Sequence, residues 1–446
     1  MCNTIKQIFK QNTILINKKI VVKGWVKHKR TNKLKTFVII NDGSTRKNLQ
    51  IILEKEDKSI NLGVYLKLKG RIVLSKGKKQ NIELLANNIK IYGIFKYKDL
   101  QKTILQPKKH SYKKLREQSY LRFRTNFFSS IMRIRHNVSY LIHKYFHKNG
   151  FYYIHTPIIT NYDTEGSSNL FKVTNLNLKT NDFNSDFFGE NAYLTVSGQM
   201  HAEAAALGLR KIYTFGPTFR AEKSKTPRHL AEFWMVEPEI AFFNLKNNMF
   251  LAEEFIKYII KNILILSKDD IELLDKKNII VNNLNKILNK EFKRIHYSKV
   301  IRILIQNGYD MKWGQDLNYE HEKFLVESYF KYPIIIFNYP IDIKPFYMRK
   351  NKDKQTVAAM DIIFPNVGEI IGGSQREERY DILLSQMKYF KLNRTILEWY
   401  INTRRFSTVP HSGFGLGFDR LIQFITNMKN IKEVIPFPRS INKIYT

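Results

Sequence analysis

The segment Tyr213–Glu239, YTFGPTFRAEKSKTPRHLAEFWMVEPE, constrains this chain more than any other. Two strand-like runs, TFGPTFR and EFWMVEPE, flank a loop of lysines, arginine and histidine, so the local expectation is two adjacent strands with a charged connection. If they pair antiparallel, Arg220 and Phe233 face one cavity. An arginine there can neutralise an α-phosphate, and a phenylalanine can lie against a purine ring. The bland alternative, a surface arginine and a core phenylalanine, stays open on this segment alone. Glu237 lies four residues beyond Phe233, which on a strand is the same face.

A chain of 446 residues is too long for one ordinary core and fits two or three domains. Residues 18–95 break into five short β-rich runs with Gly, Asn and Asp punctuation and a GKKQ hairpin, which suits a small barrel of the oligonucleotide-binding (OB) type spanning 1–95. Phe37 sits among Arg30, Lys33 and Lys35; exposed there, it would be a platform on which an unstacked base lies, the blander alternative being a core side chain. Residues 96–118 read as a polar hinge and 119–446 as a mixed α+β domain. That domain begins with a helix over about 123–148 whose apolar positions are Ile131, Ile134, Val138, Leu141 and Ile142, stopped by Gly150. FYYIHTPIIT follows as a strand, which Pro157 restricts to an edge or interface. Residues 246–330 read as a mostly helical, chemically quiet insertion, and strands return near 333–339, 343–349, 356–364 and 368–372, with a helix over 376–390.

The formal charge of +36 attracts a polyanion, but lysine and asparagine are enriched even in dull stretches, so charge placement must carry any nucleic-acid reading. The single cysteine, Cys2, excludes an internal disulfide framework and a cysteine-based zinc site. No signal-like apolar region and no apolar run of ~18 residues is present, so the expectation is a cytoplasmic protein without a membrane span.

Three further constellations carry chemistry. In GEIIGGSQREER, Glu369 lies among glycines, and Asp361 on the preceding strand can join it to hold magnesium beside a triphosphate; Arg376 follows a Gly-Gly-Ser turn. In HSGFGLGFDRL, a glycine-rich turn leads into a helix on which Arg420 can reach an outer phosphate or stack on a purine opposite Phe233. Glu165, Gln199, Glu203 and Glu237 are polar groups in apolar surroundings, suited to a small polar ligand. Neither the dinucleotide fingerprint nor the P-loop is present.

Taken together and in order, GFYYIHTPIIT, LTVSGQ, FGPTFRAEKSKTPRHLAEFWMVEPE, PFYMR, MDIIFPNVGEIIGGSQREER, TVPHSGFGLGFDRL and VIPFPR resemble the class II aminoacyl-tRNA synthetases of the aspartate/asparagine/lysine group, most closely the asparaginyl branch of bacterial type, from about residue 18 to the end. The resemblance implies an N-terminal OB-fold barrel that reads the anticodon, with Phe37 stacking on its central base, and a catalytic domain built on an antiparallel sheet flanked by helices. It implies a homodimer formed through the first motif, with Pro157 at the interface. ATP and Mg2+ are the implied cofactors, and L-asparagine and tRNA(Asn) the implied substrates. Arg220, Glu369 and Arg420 would be catalytic: Arg220 on the α-phosphate and the substrate carboxylate, Phe233 and Arg420 on either face of adenine, Asp361 and Glu369 on magnesium. Glu222 would contact adenine or the acceptor end, Arg228 or His229 the outer phosphates, and Glu165 and Gln199 the α-amino group.

The resemblance implies that asparagine is distinguished from aspartate at two positions. The aspartate enzymes carry a lysine where this chain has Ala202, and an aspartate where it has Glu237. Glu237 would accept from the side-chain amide of asparagine and repel a carboxylate, while Arg376 would donate to the side-chain oxygen. The alternatives are an aspartyl-tRNA synthetase and, more remotely, a tRNA-independent paralogue that makes asparagine. The chain departs from the family pattern at Ser167 and Ser168, at Lys223 and Lys225, and at His201.

Overall fold

In the computed structural model, residues 3–77, 80–93, 97–164, 169–177, 183–275 and 277–445 are described. The chain divides into two units, Met1–Arg133 and Ile134–Ile444, the two last residues grouping with the first.

The first unit is a closed five-stranded barrel of β1 (Lys19–Thr31), β2 (Thr36–Asn41), β3 (Leu49–Leu53), β4 (Tyr65–Leu74) and β5 (Ile82–Tyr92), in the order β1-β2-β3-β5-β4. Period-two alternation sends Val22, Val26, Val38, Ile40, Ile51, Leu66, Leu68 and Leu84 into its core. Phe37 belongs to the opposite set. It pairs across the ladder with Arg30, whose guanidinium lies 4.7 Å from the centre of its ring, so the ring is half-buried on the outer face. The expected hinge contains two short helices, Tyr97–Gln101 and Tyr112–Glu117.

The helix expected near 123–148 is α1 (Asn126–Lys148), and its five apolar positions are all buried. Gly150, at φ +75°, takes the left-handed conformation that ends it. The second unit is built on an eight-stranded sheet. Its strands are β6 (Tyr152–Tyr153), β7 (Lys211–Phe219), β8 (Glu232–Ala241), β9 (Lys293–His296), β10 (Ile334–Pro340), β11 (Thr356–Phe364), β12 (Gly368–Gln375) and β13 (His411–Gly417). Their order is β9-β10-β11-β12-β13-β8-β7-β6, antiparallel throughout except for the outermost pair at each edge.

Several expectations are corrected. FYYIHTPIIT is not one strand: β6 stops at Tyr153, a separate pair Ile159–Thr160 follows, and Pro157 is exposed between them, where its missing N–H costs no ladder bond. Residues 343–349 form no strand; a 3-10 turn Ile341–Ile343 precedes an irregular run. The helix expected at 376–390 is Tyr380–Tyr389, because residues up to Gln375 remain in β12. HSGFGLG is likewise strand rather than turn. Gly413 and Gly415 sit under β8, where a Cβ on Gly413 would run into the Glu239 carboxyl group, while Phe414 and Leu416 point into the core. The insertion is mainly helical, as read, but it also supplies the sheet-edge strand β9.

Candidate active site

β7 and β8 pair with Thr218 opposite Phe233 and Thr214 opposite Glu237, and Arg220 continues the ladder by donating its N–H to the Ala231 carbonyl at 3.0 Å. Phe233, Met235, Glu237 and Glu239 therefore share one face, and two cavities open above it. The larger, about 600 Å³, is lined by Ser197, Gln199, Glu237, Glu239, Lys344 and Arg376 among others. The smaller, about 110 Å³, is lined by Glu222, Arg228, His229, Phe233 and Arg420. Arg220 and Glu369 line both. The guanidinium of Arg220 lies 5.5 Å from the centre of the Phe233 ring. Arg420, the third residue of the helix Phe418–Thr426, donates to the Glu369 carbonyl at 2.6 Å.

The fold brings together every expected site residue of the second unit except three: Pro157 lines a neighbouring hollow that shares Glu237, Glu203 is fully buried and lines neither cavity, and Glu165 lies outside the described residues together with Ser167 and Ser168. Phe37 belongs to the barrel. Arg228 lies 4.0 Å from the centre of the Tyr319 ring and donates to Glu322 at 3.2 Å. The ring nitrogen of His229 faces the hydroxyls of Ser224 and Thr226, at 3.0 and 2.5 Å, and burial lowers the pKa of the imidazole.

Asp361 and Glu369 converge on Gly372. A Cβ there would stand 2.8 Å from one Glu369 oxygen and 3.5 Å from one Asp361 oxygen. Asp361 also accepts from Lys344 at 2.6 Å. Burial pushes the Asp361 carboxyl group upward while Lys344 pulls the other way, and Asp361 with Glu369 keeps Lys344 charged against its own burial. Two carboxylates are too few for an all-protein cage, and no cluster of three or more metal-binding side chains occurs among the described residues. The pair fits magnesium, a hard cation commonly bound through one or two carboxylates with phosphate oxygens and water completing its shell.

Glu237 is 5% exposed and accepts three protein donors: the Ser197 hydroxyl, the Gly198 N–H at 3.0 Å and the Thr214 hydroxyl at 3.2 Å. Arg376 grips Glu239 through two nitrogens, with Nε at 3.2 Å, and donates to Ser374 at 2.8 Å. Burial, with Glu203 and Glu237 nearby, pushes Glu239 upward against the pull of Arg376. Ala202 packs with Ala206 and Ile212, so it gives the cavity no charge. His201 has a structural explanation: its ring stacks on Trp399 at 5.0 Å and its Nδ1 meets the Tyr162 hydroxyl at 2.8 Å.

Lys344, Glu239 and Glu322 were not singled out from sequence. Lys344 immediately precedes the PFYMR motif, Glu239 ends the opening segment, and Glu322 lies in the insertion read as quiet. A charged residue in a linear pattern looks the same whether it becomes buried or exposed.

The model of the family described as tRNA synthetases class II (D, K and N) matches residues 111–441, and that of the OB-fold nucleic acid binding domain matches 20–92. The chain belongs to the class II tRNA synthetases. It is 51% identical over 444 residues, 95% of each chain, to the asparagine--tRNA ligase of Azobacteroides pseudotrichonymphae, and 45% identical, over 98% of each, to that of Cytophaga hutchinsonii. Among solved structures, the asparaginyl-tRNA synthetase of Pyrococcus horikoshii complexed with asparaginyl-adenylate superposes with a TM-score of 0.90 at 30% identity, covering 100% of both chains. Within the class, the chain falls in the asparagine--tRNA ligase family.

Proposed function

We propose that this synthetase activates L-asparagine with ATP and transfers it to tRNA(Asn), and that the two cavities hold the amino acid and the nucleotide respectively. The observation that carries the reading is the position of Arg220, in the wall of both cavities, where an attacking carboxylate and an α-phosphate would meet. In the first step a carboxylate oxygen of asparagine attacks the α-phosphorus, the bond to the bridging oxygen breaks, and pyrophosphate leaves. In the second the terminal ribose hydroxyl of the tRNA attacks the adenylate carbonyl and AMP leaves. No side chain serves as nucleophile; positioning and charge carry the reaction.

Phe233 and Arg420 bracket the adenine, Arg228 and His229 face the outer phosphates, and Glu222 faces the base or the acceptor end. Asp361 and Glu369 would hold Mg2+, which when bound neutralises phosphate charge. Gln199 receives the α-amino group, together with Glu165. Of the roughly four acceptor positions on a carboxylate, the protein donors to Glu237 occupy three, leaving one on the oxygen that faces Ser197 for the asparagine amide. Arg376 faces the side-chain oxygen. Phe37, held on the barrel's outer face, stacks on an anticodon base. A homodimer is supported by the exposed apolar surface around Pro157: Tyr152, Tyr153, Ile158 and Ile159. No helix among the described residues is long and apolar enough to cross a membrane.

ATP–pyrophosphate exchange measured with each of the twenty amino acids, with and without tRNA, tests the assignment. Asparagine alone should support exchange, and Arg220→Ala should abolish most of it while leaving tRNA binding nearly unchanged. Aspartate activation equal to that of asparagine, or near-normal exchange by Arg220→Ala, would overturn the reading.

A further inference from the structure

One turn after Gln199, on the helix Gln199–Leu209, Glu203 is fully buried, with 0% exposure. One of its oxygens accepts from the Gln199 side-chain amide at 2.9 Å. The other accepts from the Tyr400 hydroxyl at 2.7 Å and from Arg404, and lies 3.1 Å from His411 Nε2. Arg376 Nε stands 3.9 Å away. Arg404 also donates through Nε to the Glu377 carbonyl at 3.1 Å, fixing the backbone just after Arg376. Burial alone would push Glu203 up, but Arg404, His411 and Arg376 together hold it well below the usual carboxylate range.

We propose that Glu203 is a positioning residue that fixes which end of the Gln199 amide faces the amino-acid cavity, and that Tyr400, Arg404 and His411 hold it in place. The inference rests on the reading of Gln199 as a ligand of the substrate. A side-chain amide offers two nearly isosteric ends of opposite hydrogen-bonding sense. An ionised carboxylate only accepts, so Glu203 fixes the NH2 end of Gln199 toward itself and turns the carbonyl oxygen toward the cavity. The α-ammonium of an amino acid has only donors and needs that oxygen. With the amide reversed, donor would meet donor and binding would weaken. Glu203 stays acceptor-only because two arginines neutralise it where water cannot.

The decisive variant is Glu203→Gln, which keeps the size of the side chain but lets the pair of amides adopt either sense. The asparagine KM in ATP–pyrophosphate exchange should rise by about tenfold or more, as for loss of a hydrogen bond to a charged group. The KM for ATP should stay put and kcat should change far less. Gln199→Ala should raise the asparagine KM similarly, and the double variant should be no worse than the worse single one. If Glu203→Gln fails to fold, Glu203→Asp serves: it keeps the charge beside Arg404 and withdraws the carboxylate from Gln199, so the same rise is expected. An unchanged asparagine KM in a folded Glu203 variant, beside a raised one in Gln199→Ala, would overturn the positioning role and leave the site reading intact. Multiplying effects in the double variant would overturn it too. An unchanged KM in Gln199→Ala would remove the reading of Gln199 itself and the inference with it.

Discussion

Replacing Glu237 by glutamine tests the selection of asparagine with the least disturbance to the fold. The oxygen that accepts from Gly198 N–H, at 3.0 Å, and from Thr214, at 3.2 Å, must stay an oxygen, because the backbone donor cannot turn. The new NH2 group therefore takes the place of the other oxygen, beside the Ser197 hydroxyl, which can rotate to accept it. That position is the one left for the substrate. Where the wild type presents an acceptor to the asparagine NH2, the variant presents a donor. Losing a hydrogen bond to a charged group costs about 1.5–3 kcal/mol, which corresponds to a fall in kcat/KM for asparagine of roughly 10- to 150-fold. For aspartate the sign reverses: a carboxylate–carboxylate repulsion disappears and a donor appears, so kcat/KM should rise. The ratio of the two specificity constants should shift toward aspartate by at least about 100-fold, taking ~1.4 kcal/mol or more from each side. The assay is amino-acid-dependent ATP–pyrophosphate exchange at saturating ATP, with thermal melting as the check on folding. A ratio within about threefold of wild type, roughly 0.6 kcal/mol, in a folded variant would refute the assignment of Glu237.

Gly372→Ala should raise the Mg2+ concentration needed for half-maximal exchange several-fold while leaving the melting temperature close to wild type, because the new methyl would stand 2.8 Å from Glu369 and 3.5 Å from Asp361 and force the carboxylates apart. Phe37→Ala should raise the tRNA KM by roughly 5- to 150-fold, the range for losing one base stack, and leave tRNA-free exchange unchanged. Burial, reinforced by Glu369, pushes the Glu322 pKa from 4.5 up to about 7. The folded state thus holds a proton that the unfolded state has already lost, and this group makes the wild type less stable as pH rises between those values. Glu322→Gln removes that penalty, so its melting temperature relative to wild type should climb from pH 5 to 7.5, a trend that differential scanning calorimetry reads directly.

Much of the architecture was legible because local rules produce it. The five β-rich runs punctuated by Gly, Asn and Asp mark the strands of the barrel, the helical spacing from Ile131 to Ile142 marks a buried face, and Gly150 marks its end, whereas the face of β2 that turns inward, and with it the setting of Phe37, is decided only when the barrel closes. HSGFGLG is strand rather than turn because the same glycines serve a strand when a neighbouring strand puts bulky side chains over one face, Glu239 over Gly413 and Met235 over Gly415, and a linear pattern does not say what lies overhead. FYYIHTPIIT looks like one edge strand in sequence, but Pro157 falls between two short strands, because a residue without an N–H leaves the ladder where the chain can bend.

The sequence by itself determined which residue types were available for the chemistry and the spacing that puts Phe233 and Glu237 on one face of a strand, since that spacing follows from backbone geometry alone. Only the tertiary structure decided which charges would be buried together. Glu203 and Arg404 are 201 positions apart, and Asp361 finds Lys344 across a turn that forms no strand. Nothing local marks such residues, because a carboxylate surrounded by apolar neighbours in sequence is equally compatible with water and with a guanidinium. It is the closing of the sheet and its helices, by excluding water, that turns those pairings into fixed acceptors and donors around the substrate.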